Sequence, residues 1–82
     1  MSLAEESRRI HKIASDAAKG SGRDWNKVYL ATILANGFDL IEIPEGRHVG
    51  PNGPLQAPEP AENNSVTYAT PCVIAPKGWQ PP

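Results

Sequence analysis

The chain has 82 residues, 39% hydrophobic and 21% charged, with a formal net charge of −1. That length excludes a second domain and a large core. A domain of this size buries only about 60% of the surface its unfolded chain exposes, so its margin is thin without a staple or a partner. The near-zero net charge excludes a strong global field for nucleic acid or a membrane surface, and the single cysteine, Cys72, excludes an intramolecular disulfide.

Residues 2–19 read as an amphipathic helix. Ser2 and Glu5 have the spacing of a capping box, in which the serine oxygen takes a free amide of the first turn. Leu3, Ile10, Ile13, Ala14 and Ala17 recur at helical spacing as one narrow apolar stripe, with Arg8, Lys12, Asp16 and Lys19 on the other side. Gly20 follows as a stop, and Ser21-Gly22-Arg23 is a short link. Asp24 is placed to cap a second helix from Trp25 to about Asn36. That second helix is apolar nearly all round, interrupted only by Asn26, Lys27, Thr32 and Asn36. A helix with so little polar face belongs at the centre of a core or against another chain.

Phe38 to Ile43 reads as a strand, ended or held at a sheet edge by Pro44. From there the composition changes. Pro44, Pro51, Pro54, Pro58 and Pro60, with Gly46, Gly50 and Gly53 among them, exclude a helix or central strand, so 44–64 reads as a long loop. Val66 to Ala75 is the second strand candidate, with Pro71 requiring a bulge or an edge position. The fold expected is α+β: two N-terminal helices packed on a small antiparallel pair of strands, with a long Pro/Gly-rich loop and an extended C-terminal arm. A mainly α fold with an irregular C-terminal half is the alternative. The divisions are 1–43 for the helices and first strand, 44–64 for the loop, and 65–82 for the second strand and arm, one domain in all.

The candidate sites are few. Cys72 with His48 or His11 would make a nucleophile and base, but nothing around the thiol would lower its pKa, and a small buried apolar thiol is the plainer reading. One cysteine and two scattered histidines do not supply the spaced ligand pairs of a zinc site, and no phosphate-binding loop is present, so no metal and no cofactor are expected. Asp39 and Glu42, three apart in a strand, point to opposite faces and cannot share a substrate. The helix–link–helix order suggests DNA binding, but the second helix is too apolar to read a groove. Arg8, Lys12 and Lys19 could still touch phosphates without specificity. Pro51-Asn-Gly-Pro54 has PxxP spacing, yet its glycine makes it a turn.

The arm from Val66 to Pro82 carries Val66, Tyr68, Val73, Ile74 and Trp79 among prolines that prevent it from folding on itself. Trp79 is its natural anchor, and with Tyr68 and Trp25 it makes the candidate partner-binding set. Residues 1–37 carry a balance of +2 and residues 38–82 a balance of −3, which suits halves or copies that attract each other. Met1 to Glu6 carry acid where a secretion signal carries base, and no stretch approaches the roughly 18 apolar residues of a membrane span. Asn63-Asn64-Ser65 matches a glycosylation sequon but reads as polar loop. Together with the lone thiol these features point to the cytoplasm.

The function expected is therefore that of a small non-enzymatic accessory or interaction protein, phage-type or bacterial structural or inhibitor-like in size only. It would bind a larger protein or its own copies. A weak nucleic-acid module on the basic side of the first helix is the alternative, and a small thiol enzyme comes last.

Overall fold

The computed structural model describes residues 2–43, 49, 53–56 and 72–81. Two helices, α1 (Leu3–Ala18) and α2 (Trp25–Ala35), pack on a two-stranded antiparallel sheet of β1 (Phe38–Glu42) and β2 (Cys72–Pro76). This is the α+β arrangement expected.

Each helix boundary has a local cause. Ser2 caps α1, its Oγ accepting the Glu5 amide at 3.2 Å. After Lys19 the Ser21 amide donates to the Ala18 carbonyl and the chain turns. Asp24 makes no side-chain cap bond. Gly22–Asp24 forms a single 3-10 turn that runs straight into α2, so the Trp25 amide is taken by the Gly22 carbonyl instead. Asn36 stops α2, its side-chain amide donating to the Thr32 carbonyl at 2.8 Å. Gly37, at φ 81°, adopts the left-handed conformation that a side chain would resist, and its amide donates to the Leu34 carbonyl.

The register of the sheet pairs Phe38 with Pro76, Leu40 with Ile74 and Glu42 with Cys72. Bonding directions alternate along an antiparallel pair. The Lys77 amide donates to the Gly37 carbonyl, so Asp39–Ala75 and Ile41–Val73 exchange hydrogen bonds, while the pairs that include Leu40 and Ile74 face their polar groups outward. Pro76 therefore occupies a position where no ladder amide is needed, which is why a proline can end this strand. The strand begins at Cys72, just past Pro71, and no bulge is needed within it; residues 66–71 of the expected strand lie outside the described residues.

One outward amide on each edge is taken up. On the β1 side, the outward Leu40 amide donates to its neighbour's Asp39 Oδ1 at 2.8 Å, which occupies a group that would otherwise recruit another strand. On the β2 side, the Ile74 amide donates to the Leu55 carbonyl and Gln56 forms an isolated bridge to Val73. Part of the Pro-rich loop thus lies along β2. Beyond the strand, a turn at Lys77-Gly78 with Gly78 at φ 86° brings the Trp79 amide to the Pro76 carbonyl at 3.0 Å.

The core is formed by Ile10, Ala14, Ala18, Tyr29, Ile33, Phe38 and Ile74, with Trp25, Val28 and Leu40 packed against it. Val73 and Ala75, on the other face of β2, are also fully buried. The inner side of α1 differs from the stripe expected: it is Ala4, Ser7, Ile10, Ala14 and Ala18. Ile13 is 39% exposed and Ala17 is exposed. Small side chains let α1 approach its neighbours closely, and the larger Ile13 is left on the outside.

Candidate functional site

Tyr29 joins the two helices. It is 4% exposed, and its hydroxyl lies 2.8 Å from His11 Nδ1. The His11 ring meets it edge-on, at 5.7 Å and 74°, and the Trp25 indole stacks on it at 4.7 Å and 16°. His11, Tyr29 and Trp25 form an aromatic column along the α1–α2 seam. His11 and Tyr29 are 18 positions apart, a pairing that no local pattern announces. Trp25, a candidate for partner binding, commits one ring face to this column and packs on the core, leaving it half-buried. Trp79 is also half-buried, held by the turn after β2. Tyr68 and His48 lie outside the described residues.

Cys72 is buried opposite Glu42 in the sheet. Burial, and then the Glu42 carboxylate, push its thiol up from the ordinary value, the reverse of what a thiolate nucleophile needs. His11 has its Nδ1 engaged with Tyr29. Among the described residues no three His, Cys, Asp or Glu stand together as a metal would require, and no helix is long and apolar enough to cross a membrane.

Arg8, Lys12 and Lys19 share one exposed side of α1. Asp16 lies on that side too, and Lys12 Nζ contacts its carboxylate at 3.3 Å. The acid partly cancels the basic side that phosphate contact would use.

The surface that stands out is the outer side of α2. Only Tyr29 and Ile33 of this helix are buried. Leu34 is 37% exposed; Ala31, Ala35 and Lys27 are exposed, and Leu30 is half-buried. At 100° per residue these five positions fall on one side of the helix, opposite Tyr29. Four of the five are apolar. The Thr32 hydroxyl turns back to donate to the Val28 carbonyl at 2.7 Å and so adds no polar group outward.

Comparison of the chain with models of known protein families, with curated proteins and with solved structures finds no match in any of the three.

Proposed function

We propose that this chain is a small non-enzymatic interaction protein and that the outer face of α2, formed by Leu30, Ala31, Leu34 and Ala35, is its docking surface. One observation carries the reading: α2 is apolar on nearly every side, yet of its residues only Tyr29 and Ile33 are buried, and among the described residues nothing packs over Leu34, Ala31 and Ala35. A helix of that composition fits a second apolar contact. Trp25, stacked on Tyr29, lies on the side of α2 away from this face, and the docking surface is drawn without it or the half-buried Trp79. A reducing compartment such as the cytoplasm suits Cys72, a buried cysteine outside any disulfide.

The test is Leu34→Lys. Leu34 lies outside the core, so the variant should keep the far-UV circular dichroism and the melting behaviour of the parent. Immobilised parent chain should retain a specific protein, a foreign one or its own copies, that the variant does not. Equal retention by both would remove this face from the function.

A further inference from the structure

We propose that the occupant of the α2 outer face is a second copy of this chain, packed antiparallel about a two-fold axis that passes between Leu30 and Ala31. This rests on reading that face as a docking surface and adds the identity of the partner.

Charge sets the direction. Lys19, Arg23 and Lys27 are exposed around the N-terminal end of α2, with Asp24 the carboxylate among them. The last turn of α2 holds no basic residue. Past Gly37 the chain enters β1, which carries Asp39 and the exposed Glu42; among the described residues Lys77, whose amide donates to the Gly37 carbonyl, brings one cation to this end. Two copies laid parallel would oppose cationic end to cationic end. The antiparallel arrangement sets each cationic end against the carbonyl end of the other helix, where a positive charge is favoured.

Shape fits the same operator. In a two-fold contact residue i meets residue j and j meets i. An axis between Leu30 and Ala31 sets Leu30 over the second copy's Ala31, and the aliphatic stem of Lys27 over its Leu34. Each large side chain then faces a small or flexible one, and the Lys27 ammonium projects past the apolar strip towards the second copy's helix end. The two Lys27 charges stay roughly 10 Å apart along the axis, about the screening length at physiological salt.

Size sets the strength. One face of an 11-residue helix covers less than the roughly 800 Å² per partner of a stable interface, so the pair is weak and depends on concentration.

Sedimentation equilibrium from micromolar to millimolar chain gives the mass. The parent should rise from 8.8 kDa towards twice that value, while Leu34→Lys, which sets like charge against the second copy's Lys27, stays at 8.8 kDa throughout. Ala31→Cys tests the axis, because the native Cys72 is buried. Under mild oxidation it should form a covalent dimer several-fold faster than Arg9→Cys, a control on the exposed side of α1. A parent that remains monomeric at millimolar concentration overturns the proposal. So does an association that Leu34→Lys leaves intact, or equal cross-linking at both positions. If the parent is monomeric yet retains a foreign protein that Leu34→Lys loses, the docking face stands and only the second copy is wrong. If neither occurs, both fall.

Discussion

The hydroxyl of Ser7 donates to the carbonyl of Ile74 at 2.6 Å, linking the first helix to the last strand across 67 positions of sequence. Ser7 is 0% exposed, and Ile74 is fully buried as well. The Leu3 carbonyl lies 2.9 Å from the same hydroxyl. The proton is thus shared between a helix carbonyl already used by the backbone and a strand carbonyl that faces outward from the sheet. Ser7→Ala leaves that strand carbonyl buried without its donor. It should cost about 1–3 kcal/mol in urea or thermal unfolding, because a buried unsatisfied acceptor loses its hydration without replacement. A loss below a few tenths would mean that water reaches Ile74.

Ile33 and Leu34 are adjacent in sequence and opposite in environment. Ile33→Ala opens a cavity in the core and should cost about 2–5 kcal/mol, enough to unfold a chain with so small a margin. Leu34→Ala should cost about 1 kcal/mol or less, because its side chain is over a third exposed already. Differential melting of the two variants checks this, and equal losses would contradict the orientation of α2.

Cys72 makes stability depend on alkaline pH. Its thiol is pushed above its ordinary value of 9.0 by burial and by Glu42. Below that value the thiol is neutral in folded and unfolded chains alike, and its contribution is fully present. As pH rises through it, the unfolded chain releases the proton while the folded chain keeps it, so stability falls. Urea midpoints should drop from neutral to about pH 10, and drop less in Cys72→Val, where no thiol titrates. The folded chain should also resist alkylation until it unfolds. Prompt modification of the native chain would contradict the burial.

The basic side of α1 yields the opposite kind of expectation. With Lys12 paired to Asp16, Arg8 and Lys19 present too little charge for a phosphate surface. Fluorescence anisotropy with labelled duplex or single strand should show no binding even at low salt. Binding that weakens steeply with salt, and less steeply when the three cations are replaced, would assign a nucleic-acid role instead.

Much of this fold is legible in the sequence because local rules set it. Ser2 marks the start of α1, Asn36-Gly37 the end of α2, and Phe38 and Cys72 fall at or inside the expected strands. Three features escape such rules. The inner side of α1 is chosen by closeness of approach rather than by hydrophobicity, so Ala4, Ser7 and Ala18 are inside while Ile13 is not. Pro76 is compatible with a strand only because of its register opposite Phe38, which depends on the whole pairing. The His11–Tyr29 contact and the bare outer side of α2 are tertiary facts: an apolar helix signals burial, but which side remains open depends on where α1 and β1 pack.

The most direct measurement is a ¹H–¹⁵N spectrum of the parent chain recorded from dilute to concentrated solution. Concentration-dependent shifts should gather at Lys27, Leu30, Ala31, Leu34 and Ala35, with Arg9, Ile13 and Asp16 on the far side of α1 unchanged. Spectra that stay identical across the whole range, or shifts centred on α1, would contradict the assignment of the α2 outer face as the surface where this chain meets its own copy.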